Sequence, residues 1–126
     1  MDALYAILLP ILFAIESVNG TQLVGDNGDS IGPYHIQKIY VRDANRIVGE
    51  DRYTYEDRND KVKSEEMIMI VCTHYNKSVL KMGISMEEML VRVGCTHNLG
   101  GAVNSKRHTK DYKEYGDKIR AIYNKK

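Results

Sequence analysis

A chain of 126 residues with 43% apolar and 28% charged side chains and a formal net charge of +1 has the composition of a soluble globular protein and exerts no overall pull on nucleic acid. It is long enough for one domain, residues 1–126, whose core needs neither metals nor disulfides to staple it. Its two cysteines, Cys72 and Cys95, fit neither a disulfide framework nor a zinc-binding spacing and read as two buried thiols rather than one bridge, which leaves the compartment undecided.

Asp2 is the expected N-cap of a helix from Ala3 to about Val18, apolar nearly all round as a core-buried helix is. Pro10 predicts a kink or a restart, because proline removes a backbone donor and clashes with the preceding turn. Asn19-Gly20 supplies the C-cap. The run has the apolar core of a secretory signal, but it starts with Asp2 where a signal wants basic residues, and it leads straight into Glu16. Cleavage near Gly20 would remove that acid. The run is also too short for a membrane span.

Gln22-Leu23-Val24 and Ser30-Ile31-Gly32 flank Asp26-Asn27-Gly28-Asp29, and Asn-Gly between short apolar stretches predicts a β-hairpin. Gly25, Gly28 and Gly32 lack the strand-loop-helix setting and the Lys-Ser or Lys-Thr of a phosphate loop. From Tyr34 to Ile47 the chain should enter a short helix with Ile36, Ile39, Tyr40 and Ile47 inward, and Gly49 to Asp60 should be a polar surface connection. A long helix follows from about Val62 to Leu80, with Met67, Ile70, Val71, His74 and Leu80 at helical spacing. Ser85-Met86-Glu87-Glu88 has the capping-box form and opens a helix to about Cys95, Thr96 to Ala102 is a loop, and Thr109 to Asn124 is the last helix.

Most polar residues along the way have ordinary readings. From Lys106 to Lys126 there are eight Lys and Arg against three Asp and Glu, a solvated basic helix face rather than a dedicated anion site. His74 reads as a core histidine, whereas His97 either orients Asn98 or caps the preceding helix. Cys72 with His74 is too little for a nucleophile pair, and no His, Cys and carboxylate cluster has metal spacing.

Glu16 is different, because it falls in the last turn of the apolar helix, where burial and the negative end of the helix dipole favour a protonated carboxyl. It precedes a turn rich in ionised carboxylates. Two carboxyl groups in unlike surroundings are what a lysozyme-type glycosidase needs. Glu16 is the candidate general acid and Asp26 the second carboxylate, with Asp29 on the same turn as its competitor.

Three motifs in order carry a family resemblance: Glu16-Ser17 at a helix end, Gly32-Pro33-Tyr34-His35-Ile36, and His97-Asn98-Leu99-Gly100-Gly101 followed by Tyr115-Gly116-Asp117-Lys118-Ile119. The second is similar to a Gly-Pro-Tyr-Gln-Ile element, and more distantly to the Gly-Leu-Met-Gln of lytic transglycosylases. The third resembles a His-Asn-Gly-Gly loop and a terminal Tyr-Trp-Asn-Lys-Val helix. Together they resemble the lysozyme superfamily, most of all invertebrate-type (destabilase-like) lysozymes, over most of the chain.

The resemblance implies an α+β, mainly α, lysozyme-like fold with a small β-hairpin beside a helical domain. It also implies cleavage of the β-1,4 bond between N-acetylmuramic acid and N-acetylglucosamine in bacterial peptidoglycan, by a retaining route and without cofactor or metal. Tyr34, Asn98, Gly100 and Tyr115 match cleft-lining positions, with Ser30 and His35 beside them as candidate sugar contacts. The implied partner is the peptidoglycan glycan strand, with no nucleic acid and no stable membrane insertion. Such an enzyme acts outside the producing cell, in a periplasm or in a virion, here without a convincing signal peptide.

The chain departs from the family in having only two cysteines, in His35 where the family has Gln, in the inserted Leu99, and in a shortened Glu16 to Asp26 interval. The alternatives are a lytic transglycosylase using Glu16 alone and a noncatalytic sugar-binding protein on the same fold.

Overall fold

The computed structural model describes residues 2–25 and 28–125. Helix α1 (Asp2–Ser17) contains Pro10 and does not end at it. Both Pro10 and Ala6, whose carbonyl loses its partner to the proline, lie on the exposed side, where water reaches the freed oxygen. The predicted hairpin follows as β1 (Val24–Gly25) and β2 (Ser30–Ile31), antiparallel with Val24 opposite Ile31 and Gly25 opposite Ser30.

A third strand stands where the sequence suggested a helix. The Gly32 to His35 turn, closed by the His35 N–H on the Gly32 carbonyl at 3.1 Å, reverses the chain and delivers β3 (Ile36–Gln37) antiparallel to β2. Helix α2 (Lys38–Val48) therefore starts later than expected, and its inner face is Val41 and Ala44. Ile39, expected inside, is 62% exposed.

The stretch expected as a surface connection contains a 3-10 turn at Tyr55–Asn59 and buries Tyr53 and Arg58. Asp57 accepts the Thr54 N–H at 2.9 Å, and that bond, helped by Lys63, holds its carboxyl below the ordinary value. Helix α3 (Lys61–Tyr75) stops short of Leu80. The buried Asn76 amide donates to the Cys72 carbonyl and to Thr96 Oγ1, each at 2.7 Å, offering the backbone a partner that competes with another helical turn. A 3-10 turn at Val79–Lys81 comes next.

Helix α4 (Met86–Leu99) has the predicted cap, Ser85 Oγ accepting the Glu88 N–H, but continues past Cys95, so that Thr96 to Leu99 are helical and not a loop. Gly100–Ala102 form a 3-10 turn, and two further helices follow, the short α5 (Val103–Lys106) and α6 (Lys110–Tyr123), which Thr109 caps. The chain is thus α+β and mainly helical, with one three-stranded sheet among the described residues. No helix among them is long and apolar enough to cross a membrane.

Two compact units divide the chain, residues 12–71 and residues 1–11 with 72–126. In the second, α4 and α6 approach closely through a glycine on each. A Cβ on Gly94 would lie 2.5 Å from Ile119 Cδ1, and one on Gly116 would lie 3.0 Å from Val91 Cγ1. Leu4, Leu8, Leu90, Val93 and Ile119 fill that unit's core, and Cys72 and Cys95 are buried there as free thiols. The unit of residues 12–71 buries Leu12, Tyr34, Ile36, Val41, Met67 and Ile68.

Gly32 has φ +85, and a Cβ there would sit 1.8 Å from the Arg58 carbonyl oxygen. Gly32→Ala should cost about 3 kcal/mol or more in urea unfolding, from left-handed strain added to an overlap with backbone. Gly28, at φ +93 with open space around it, should lose only about 1 to 2 kcal/mol on the same change. Equal losses would mean that the Arg58 carbonyl does not constrain the turn. Burial pushes the Cys95 thiol up to about 12. A thiol-titrating disulfide reagent at pH 8 should find neither cysteine within minutes in native protein and both in guanidinium; a fast native reaction would contradict their enclosure.

Candidate active site

Glu16 sits in the last turn of α1 with its side chain 16% exposed. The helix end behind it is bound tightly. Ser17 Oγ donates to the Phe13 carbonyl at 3.2 Å and accepts the Gly20 N–H at 3.0 Å, while the Ser17 carbonyl accepts the Gln22 N–H at 2.8 Å. The reversal uses three left-handed residues in a row, Val18, Asn19 and Gly20, at φ 50, 57 and 87. Asn19 and Gly20 are the cap that the sequence suggested. Val18 is the unexpected member, because a β-branched residue is strained in that region.

The Gly32 to His35 turn supplies the group facing Glu16. His35 is also left-handed, at φ 50. Tyr34 turns into the core and His35 turns the other way, bringing Nδ1 to 3.9 Å from Glu16 Oε1 with the imidazole 15% exposed. Its Nε2 bonds the Gln22 carbonyl. A carbonyl only accepts, so Nε2 carries a proton and Nδ1 is the nitrogen that faces Glu16. Gly25 makes room for the ring, since a Cβ there would meet Nδ1 at 3.0 Å.

The other predicted positions fall in different surroundings. Asp26 lies outside the described residues. Asp29 is exposed on the turn between β1 and β2, and its carbonyl accepts from Arg58 at 3.4 Å. Ser30 is buried in β2. Tyr34 is wholly buried, with its ring 5.8 Å from that of Phe13 and its hydroxyl donating to Glu65 Oε2 at 2.6 Å. Burial, and then the Glu65 carboxylate, hold that hydroxyl well above the ordinary phenol range. Lys61 bonds the same oxygen at 2.8 Å.

The remaining three candidates belong to the unit of residues 1–11 and 72–126. Asn98 is exposed in the last turn of α4, Gly100 ends that helix at φ 58, and Tyr115 is buried in α6. The structure thus brings Glu16 and His35 together and gives Tyr34 and Tyr115 packing positions.

Sequence reasoning missed Gly25 and Arg58. The buried Arg58 guanidinium donates from Nη1 to the Asp29 and Ile36 carbonyls and from Nε to the Tyr55 carbonyl, tying the hairpin turn to β3. A single arginine in a polar stretch gives no sequence signal of that role. Among the described residues no group of three or more His, Cys, Asp or Glu could hold a metal ion. No protein family, curated protein or solved structure matches the chain.

In long-range nitrogen–proton spectra, Nε2 of His35 should read as the protonated nitrogen. Glu16→Gln and Gly25→Ala should each move the Nδ1 resonance more than the Nε2 one. An unprotonated Nε2 would exclude the bond to Gln22 and, with it, this orientation of the ring.

Proposed function

We propose that the protein is a lysozyme-type glycosidase that cleaves the β-1,4 bond between N-acetylmuramic acid and N-acetylglucosamine in peptidoglycan, with Glu16 as general acid. The observation that carries this reading is the placement of Glu16, a little-exposed carboxyl at the end of a mostly apolar helix, beside a small antiparallel sheet whose turn carries Asp29. The ordered motifs and the mainly helical α+β architecture are in keeping with a lysozyme-like fold.

In this mechanism Glu16 gives its proton to the leaving glycosidic oxygen, and a carboxylate on the β1–β2 turn, Asp26 or Asp29, meets the positive charge that develops on the sugar. The resemblance favours retention, in which that carboxylate bonds the sugar and water then releases it, with Glu16 now acting as base. His35, with Nδ1 at 3.9 Å from Oε1, positions the Glu16 carboxyl.

Wild type should clear purified peptidoglycan suspensions and release reducing ends. Glu16→Gln should lose about 100-fold or more of that rate while keeping the wild-type circular dichroism. Sugars ending in an anhydro ring would make the enzyme a lytic transglycosylase instead. No clearing by wild type at any pH would overturn the muramidase reading and favour a binding role.

A further inference from the structure

The unit of residues 1–11 and 72–126 contains a cavity of about 560 Å³ that has no part in the site above. Its walls are Leu4, Leu80, Ile84, Met86 and Met89, with Ala3 at one edge. Met86, 37% exposed, leaves it open to solvent. Unbranched methionines give such walls a contour that adapts to what enters. The volume lies in the range of about 300 to 1,000 Å³ usual for small-molecule sites.

The polar groups of the lining are few. Thr73 Oγ1 is already bonded to the Tyr5 hydroxyl at 2.7 Å. Lys77 and Lys81 are exposed and also line it, and no carboxylate lines it among the described residues. Lys61, Lys63, Lys110 and Lys113 pair with acidic side chains, whereas Lys77 and Lys81 have no ion-pair partner among the described residues. The cavity is therefore apolar with a cationic edge.

We propose that it binds a free single-chain anionic amphiphile, an alkyl carboxylate of medium length, with the chain against the Leu, Ile and Met walls and the carboxylate between Lys77 and Lys81. A peptide or a sugar would bury amides or hydroxyls against walls whose one hydroxyl is taken, whereas an alkyl chain makes no such demand. The unpaired ammonium groups then fix which end of the chain stays at the mouth.

The test is titration calorimetry of the full chain with octanoate, decanoate and dodecanoate below their aggregation concentrations, with dodecanol as the neutral control. One site is expected, with affinity rising about fourfold per methylene until the cavity is full. Dodecanol should bind about fivefold more weakly than dodecanoate. The double change Lys77→Gln with Lys81→Gln should bring dodecanoate down to the level of dodecanol and leave dodecanol unchanged. The proposal is overturned if none of the carboxylates binds, if affinity does not depend on chain length, or if dodecanol equals dodecanoate in wild type. Binding to anionic phospholipid vesicles without binding to monomeric dodecanoate would also overturn it and point to a membrane surface.

Discussion

Arg58 holds the small sheet from two directions. Strands of two residues make too few ladder bonds to persist by themselves. The Arg58 guanidinium supplies what they lack by donating to carbonyls before β2, in β3 and in its own 3-10 turn, and it lies 5.7 Å from the Tyr55 ring. Its carbonyl presses on Gly32 and accepts the buried Ser64 hydroxyl at 3.1 Å. A charge taken out of water is tolerable only when such acceptors replace its hydration. The result is a fixed turn at Gly32 to His35, and only a fixed turn can keep an imidazole next to Glu16.

The unit of residues 1–11 and 72–126 reaches its order by other means. Helices α4 and α6 meet where glycine lets side chains of the neighbouring element come in, and Asn76 joins the end of α3 to Thr96 of α4 by a buried amide. At the amino end of α4, beside the carboxyl end of α6, Glu88 is pushed up by burial, yet Arg92 and Arg120 outweigh that and leave its carboxyl below the ordinary value. Close packing on one side of α4 and open methionine-lined space on another are compatible because different residues of the helix serve them. Gly94 and Cys95 are buried, whereas Met86 and Met89 border the cavity.

Much of this was legible in the sequence. The apolar run announced α1, the Asn27-Gly28 pair announced the hairpin, and Ser85 with Glu88 announced the start of α4. The errors came where a distant partner decides a local outcome. Arg58 reads as surface until carbonyls from another stretch are placed around it, and α3 reads as continuing until Thr96 is found beside Asn76. Of the site, Glu16 was legible because helix ends can be read from pattern. Its companion was not, since the left-handed backbone at His35 sets the direction of the ring and no periodicity encodes that. Tyr34 and Tyr115 show the same limit, because an aromatic residue at regular spacing suits a core and a cleft equally well.

The two free thiols bear on how the protein is made. With no cross-link between them, no disulfide contributes to this fold. Folding waits on no oxidant and no isomerase that shuffles disulfides, and a reducing environment removes nothing that holds the structure. The same contacts therefore hold the fold in reducing and in oxidising surroundings.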